Sequence, residues 1–261
     1  MTGISPAVSV VTVVLNRAAC IERTIQSVIG QSYGRIEYIV IDGGSRDGTK
    51  DVIERYRDKI SFWSSGPDSG LYDAMNKGVG AATGGWIHFL NAGDVFCRQD
   101  TIQQAFSAPY GVADLLYGDE EVVYGPGCAV IKKARPHRDI WKGMIFNHQS
   151  LFVKTALLRE HPFRTEYRIA ADYEFVLFSF VQGAGLYYLG FPIASVALGG
   201  LSDMNVSAHI REQWQIARRF RDTARINTYY RYALASAAIK KVLKTLLPQN
   251  ARNAIVKCKY R

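Results

Sequence analysis

Apolar stretches of strand length alternate with amphipathic stretches of helical period through the first third of the chain. "VSVVTVVLN" (Val8–Asn16) is almost continuously apolar and β-branched, the pattern of a strand buried on both faces. "CIERTIQSVIGQ" then places Ile21, Ile25, Val28 and Ile29 on one helical face. "IEYIVIDGGS" (Ile36–Ser45) reads as a second strand that runs into a Gly-rich turn, and "DGTKDVIERYRDK" opens a second helix with Asp47 or Thr49 near its cap. "ISFWSSG" is a short third strand, "GLYDAMNKGVGAATG" a helix with a Gly-rich end, and "WIHFLN" a fourth strand. Strand–helix alternation with short links predicts a parallel sheet with helices on both faces.

The pattern then changes. "DLLYGDEEVVYGPGCAVIKK" predicts two strands joined by a turn at Gly125-Pro126-Gly127. "NHQSLFVKTALLRE" begins as a strand and becomes a helix. "RIAADYEFVLFSFVQGAG" is helical, with Asp172 in its first turn. "LYYLGFPIASVAL" is strand-like, and Pro192 argues for an edge position. After "GGLSDMN" the chain is helical in pattern from Ser207 to Leu247, where Pro248 punctuates it. The expected fold is therefore α/β, a parallel or mixed sheet with helices on both faces. A catalytic domain is expected over residues 1–204, with a donor half to about residue 95 and an acceptor half from about 96, followed by a helical extension over 205–261.

Charge sharpens that boundary. Of the net +9 on 261 residues, Asn205–Arg261 carries 13 Lys/Arg against Glu212 and Asp222, whereas residues 1–204 carry 19 basic against 21 acidic side chains. A basic tail implies an anionic surface nearby or a solvated helix face. Its apolar positions Ile239, Val242, Leu243 and Leu246, with Lys240, Lys241 and Lys244 between them, suit an anionic membrane or packing on the catalytic domain equally. The four cysteines are far apart in sequence, so neither a zinc knuckle nor a redox pair is written, and scattered thiols suit a reducing compartment. The N-terminal run lacks the marks of a signal peptide, and no apolar stretch is long enough to span a bilayer. The expected location is the cytoplasm, at the inner face of the cytoplasmic membrane where the tail attaches.

Candidate chemistry gathers at strand ends. Asn16, Asp42, Gly66-Pro67-Asp68 and Asn91-Ala92-Gly93-Asp94 all follow predicted parallel strands, the edge where α/β sheets bind ligands. A carboxylate at the end of a buried strand can hold a hard cation against a diphosphate. Turn chemistry explains the same residues individually.

The motifs "VSVVTVVLNR", "YIVIDGGSRDGT", "SGPDSGLYDAMNKGVGAATGGWIHFLNAGD", "LLYGD", "FNHQS", "IAADYEF" and "GGLS" stand in an order that resembles family 2 glycosyltransferases. They look most like the bacterial enzymes that assemble exopolysaccharide, capsule or O-antigen units. The resemblance spans about residues 5–205 and implies a GT-A fold, a nucleotide-sugar donor, Mg²⁺ or Mn²⁺, and inversion at the anomeric carbon. It further implies a saccharide acceptor, commonly lipid-linked. By the same resemblance, Asp94 is the metal ligand, and Asn16, Asp42, Asp68, Asn76 and Asn91 line the donor. Asp172 is then the catalytic base, with Asp119, His148 and Gln149 at the acceptor. The chain departs from the family pattern at Gly43, Asn91, Gly93 and Ala171, where acids are usual; one carboxylate remains in "LNAGD". "GGLS" suits a loop that closes over the diphosphate.

Two other functions compete. A nucleotidyltransferase shares the α/β sheet and a metal acid, but wants a Gly-rich basic loop after the first strand, where "LNRAACIE" offers only Arg17. An RNA-binding protein suits the basic tail, with Tyr229, Tyr230 and Tyr232 beside Arg231 for stacking, yet no recognised nucleic-acid module is present and none is expected as a partner. "GVGAATG" resembles a dinucleotide fingerprint but follows a helix and precedes a strand, the reverse of what that motif requires.

Overall fold

The computed structural model describes residues 7–125, 127–197 and 205–246. Four parallel strands form one half of the sheet: β1 (Val8–Val14), β2 (Ile36–Asp42), β3 (Phe62–Ser65) and β4 (Trp86–Phe89), in the order β3-β2-β1-β4. β8 (Leu151–Lys154) pairs antiparallel with β4, and β6 (Leu115–Gly125) antiparallel with β8. β9 (Leu186–Ala197) runs parallel to β6, and the two-residue β5 (Val95–Phe96) closes the order beyond it. β7 (Cys128–Lys132) forms the expected hairpin with the second half of β6. The result is one mixed sheet, parallel from β3 to β4 and mixed beyond it, with a direct chain reversal at the β6–β7 hairpin.

Crossover helices α1 (Ala18–Ile29), α2 (Thr49–Glu54) and α3 (Leu71–Ala81) follow β1, β2 and β3. α4 (Thr101–Ser107), α5 (Thr155–Glu160) and α6 (Ala171–Val181) come later. Neither α4 nor β5 is apparent in the periodicity, because seven and two residues carry too little pattern. Strand side chains alternate between two apolar layers. Val11, Val13, Ile39, Ile41, Ile87 and Phe89 join α3 and α6 on one face; Val10, Val14, Val40 and Leu116 join Ile21, Ile25, Ile53 and Ile102 on the other. Gly78 has a packing role here: a Cβ at this position would overlap Val11, so the glycine lets α3 lie directly on β1. The Gly-rich run is thus a helix–sheet contact rather than a phosphate loop.

Pro192 does not place β9 at a free edge. β9 lies between β6 and β5, and Pro192 sits at a shift in the β6 register, just before the β5 pairing at Ala194–Ser195. The missing N–H falls where the ladder is already interrupted.

His88 is fully buried on β4, between the rings of Phe96 and Phe152 at 4.9 and 4.5 Å. Its Nδ1 donates to the Leu151 carbonyl at 2.9 Å. Burial pulls its pKa down to about 3, which keeps the ring neutral.

The C-terminal segment divides into α7 (Val206–Phe220) and α8 (Ala224–Leu246). α7 belongs physically to the main body, although charge put its boundary at residue 204. Ile216 is fully buried in the same core as α3 and α6, and the Phe220 ring lies 6.5 Å from Phe178. α8 docks through Ile226 and Tyr230 onto Ala217 and Trp141. Beyond that point Tyr232, Ile239, Val242 and Leu243 are exposed. Of the tyrosines suited to stacking, Tyr230 is buried with its hydroxyl on the Trp141 carbonyl, and Tyr229 reaches the Lys142 carbonyl. Stacking roles for these two give way to packing against the 141–142 segment.

Candidate active site

The ends of β1, β2 and β4 converge because the strands are parallel. The β1 and β2 ends are bound into one unit. Asn16 adopts a left-handed φ of 51°, its N–H donates to Ser45 Oγ at 2.7 Å, and its Oδ1 accepts from Arg46 N–H at 2.9 Å. Asp42 is 1% exposed, and its carboxylate accepts from the N–H groups of Gly44 (3.2 Å) and Ser45 (3.0 Å), from Ser65 Oγ (2.6 Å) and from Ser45 Oγ. Asp68 lies across this turn. Its Oδ1 accepts from Gly70 N–H at 3.0 Å, and its Oδ2 stands where a Cβ on residue 43 would project. Gly43 therefore leaves room for the acid at 68.

Asn76 faces elsewhere. Both ends of its amide pair with the Phe163 backbone, at 2.8 and 3.0 Å. It fastens α3 to the loop before α6. Lys77 is engaged by Asp73 at 3.1 Å and the Pro67 carbonyl at 2.9 Å.

The segment Asn91–Asp94 is a turn and a site component together. Asp94 N–H donates to the Asn91 carbonyl at 3.0 Å, and Gly93 supplies the φ of 108° that the reversal needs. α1 holds the turn: Thr24 Oγ1 accepts from Gly93 N–H and donates to the Asp94 carbonyl, while Arg23 binds the Gly93 carbonyl. The Asp94 carboxylate is mostly buried. Burial raises its pKa, opposed by the Ala197 N–H (3.1 Å), the Gln149 amide, and the charges of His148 and Arg23. Gln149 also accepts the Asn91 N–H at 3.0 Å, so this buried side chain ties both polar residues of the turn to the 148–150 segment. Asn91 Oδ1 is buried and lacks a hydrogen-bond partner among the described residues.

Across the sheet, Asn147 caps a short 3-10 turn over His148–Ser150, and Ser150 Oγ donates to the Asp119 carbonyl at 2.8 Å. This presents His148 between the two halves. Its Nε2 lies 3.1 Å from Asn91 Nδ2, and its Nδ1 lies 3.4 Å from Asp172 Oδ2. Its Nδ1–H faces the carboxylate, so the ring donates to Asp172. Tyr72, on α3, donates its hydroxyl to Asp172 Oδ1 at 3.0 Å. Burial raises the Asp172 pKa, but the His148 hydrogen bond, the charges of His148 and His209, and the Tyr173 N–H outweigh it, and the net shift is downward. Asn91, His148, Asp172 and Tyr72 thus form one polar chain, with Asp94 beside it through Gln149. Sequence motifs name every member except Tyr72, whose helical position looks like one more core aromatic.

Asp119 stands behind this chain, fully buried. Lys133 Nζ (2.7 Å), Ala134 N–H (2.9 Å) and Tyr188 Oη (2.7 Å) occupy its carboxylate, so it supports the 148–150 turn through its backbone. The "GGLS" segment lies outside the described residues.

A parallel sheet edge faced by an acid from a second, mixed half is the arrangement of a GT-A glycosyltransferase. The model of glycosyl transferase family 2 matches residues 9–108. An uncharacterized glycosyltransferase of Mycobacterium tuberculosis is 36% identical over 182 residues, 66% of this chain and 68% of that one. A PGL/p-HBAD biosynthesis glycosyltransferase of Mycobacterium bovis is 30% identical over 233 residues, 82% of this chain and 86% of the relative. The chain belongs to glycosyl transferase family 2. Its fold is shared with the mannosyltransferase PcManGT of Pyrobaculum calidifontis, solved with GDP-Man and Mn²⁺, at a TM-score of 0.67 and 18% identity over 98% of this chain and 80% of that one. It is shared also with TarS of S. aureus, at a TM-score of 0.63 and 20% identity over 80% of this chain; the match spans only 39% of the TarS chain.

Proposed function

We propose that the protein transfers a sugar, with inversion, from a nucleotide-diphosphate sugar to the hydroxyl of a lipid-linked saccharide in cell-surface polysaccharide assembly. The observation that carries this reading is the polar chain from Asn91 through His148 to Asp172, which sets an acceptor-side carboxylate beside the strand end that carries Asp94. Asp172 accepts the proton of the attacking hydroxyl. The new C–O bond forms at the anomeric carbon as the bond to the diphosphate breaks on the opposite face. His148 and Tyr72 hold the carboxylate in place and keep it ionised. Asn16, Asp42 and Asp68 shape the nucleotide end, through the tightly bonded turn around Ser45.

The residues present fit a divalent cation held chiefly by the donor. Asp94 offers one carboxylate and Asn91 a buried amide oxygen without a protein partner, and phosphate oxygens and water complete such a shell. No three His, Cys, Asp or Glu side chains cluster as a metal site among the described residues; diphosphate oxygens would supply further ligands. Bound Mg²⁺ or Mn²⁺ would offset charge on the departing diphosphate.

The exposed apolar positions of α8, Ile239 and Leu243, with Lys240 and Lys241 adjacent, support peripheral attachment to an anionic membrane, where a lipid-linked acceptor resides. No helix of the described residues is long and apolar enough to cross a membrane. The proposed location is accordingly the inner face of the cytoplasmic membrane.

The test is a panel of nucleotide sugars with Mn²⁺ or Mg²⁺ and lipid-linked saccharides, with the product's anomeric configuration read by NMR. A product that keeps the donor's configuration overturns the inverting mechanism, and transfer unaffected by excess chelator overturns the metal.

A further inference from the structure

One carboxylate from the C-terminal segment reaches the base of the helix that carries Asp172. Glu212, on α7, accepts three successive backbone N–H groups: Arg168 at 3.1 Å on Oε1, and Ile169 at 2.8 Å and Ala170 at 3.0 Å on Oε2. These residues lead directly into α6, and Ala170 is its N-cap. Ala170 has no side chain to serve the first N–H groups of the helix, and within the helix Asp172 Oδ1 accepts the Tyr173 N–H at 2.8 Å. Glu212 binds the N–H of the cap residue itself and of the two residues before it, from 42 residues away along the chain at Ala170.

The bond fixes more than a helix end. Asp172 is the second residue of α6, so the path of residues 168–170 sets where its carboxylate lies relative to His148 and Tyr72. Glu212, Ile216 and Phe220 follow one another at four-residue spacing and therefore share a face of α7. Ile216 and Phe220 pack in the core with α6, so the polar contact and the apolar contacts act together on α6. At the other side of the loop, Arg219 Nη1 lies 3.6 Å from Glu166. The Glu212 charge also reaches Tyr72: burial, Asp172 and Glu212 all raise the Tyr72 pKa, which keeps its hydroxyl a donor to Asp172.

We infer that Glu212 is a positioning residue for the transfer step, which makes α7 a working part of the acceptor half. The inference rests on Asp172 as base. Its consequence is a loss of turnover with donor binding retained, because the Glu212 hydrogen bonds go to residues 168–170 and not to the β1 and β2 ends proposed for the nucleotide.

The experiment uses the full chain with Glu212→Ala, Glu212→Gln, Ile216→Ala and Asp172→Asn, and measures kcat, donor KM and melting temperature. Glu212→Ala is expected to lower kcat roughly ten- to hundredfold, the scale on which a misplaced catalytic group acts, with donor KM within about twofold. Glu212→Gln retains an acceptor oxygen and is expected to recover part of that loss. Ile216→Ala removes packing but no α6 hydrogen bond, and is expected to lower the melting temperature more than kcat. Glu212→Ala with a lowered melting temperature and unchanged kcat, assayed well below melting, overturns the inference. If Glu212→Ala does not fold, Glu212→Gln decides: a kcat equal to the parent's overturns it. Normal transfer by Asp172→Asn removes the base assignment itself, an outcome distinct from a failure of Glu212 alone.

Discussion

The Tyr72 hydroxyl donates to Asp172 Oδ1 at 3.0 Å, across 100 residues of sequence. It joins α3, the helix after β3 in the parallel half of the sheet, to the first turn of α6. The two halves of the site are therefore held in register by a side-chain contact as well as by the shared sheet.

Asp172→Asn keeps the size of the side chain but cannot take the acceptor proton. Transfer is expected to fall by roughly two to four orders of magnitude, with donor affinity retained. Tyr72→Phe is expected to give a smaller loss, because the base remains but one of its anchors is gone. Transfer rate and donor affinity, measured on the same preparations, check both. Near-normal transfer by Asp172→Asn with a lowered melting temperature would make the residue a structural carboxylate at a helix start.

Asp94→Asn is expected to weaken metal-assisted donor binding and turnover together, since charge on the departing diphosphate is no longer offset. Calorimetric titration of the donor with and without Mn²⁺ provides the check. A variant whose donor affinity still rises with Mn²⁺ as in the parent would exclude Asp94 as a ligand.

For the exposed end of α8, Ile239→Glu with Leu243→Glu is expected to reduce recovery with anionic liposomes while transfer to a soluble acceptor analogue continues. Flotation at matched protein concentration is the measurement. Equal recovery of parent and variant would assign that surface to something other than a bilayer.

His88 gives the fold an acid-sensitive point. Its folded pKa of about 3 lies below the ordinary imidazole value of about 6.5, so the unfolded chain binds the extra proton between these limits. Stability from this group is complete above about pH 6.5 and falls as pH drops toward 3, by about 1.4 kcal/mol per unit. Between pH 7.5 and 5.0 that is about 2 kcal/mol. His88→Leu is expected to flatten this part of the urea-midpoint profile, and an unchanged slope would place the acid sensitivity elsewhere.

Two glycines of α3 make a matched pair. Gly78→Ala is expected to cost about 1–3 kcal/mol, because its Cβ overlaps Val11 in a packed layer. Gly80→Ala has open space around the new methyl and is expected to gain up to about 1 kcal/mol from helix propensity. Thermal melts of the two variants show whether the sign divides as stated.

The sequence by itself determined the parallel half of the sheet, because strands buried on both faces write continuous apolar runs and amphipathic crossover helices write a period of 3.6. It also placed Asn16, Asp42, Asp68 and Asn91–Asp94 at one edge, since strand ends in a parallel sheet share a side. Local pattern does not carry partners, and there the tertiary structure decided. It turned Asn76 to the Phe163 backbone, surrounded Asp119 with Lys133 and Tyr188, and brought Tyr72 to Asp172. Helical pattern and charge separated residues 205–261 from the rest, yet Glu212 and Ile216 fasten α7 to α6 and the residues leading into it. A basic composition describes the solvent face of a helix, whereas the buried face that fixes its place consists of a few residues whose contacts exist only once the chain has folded.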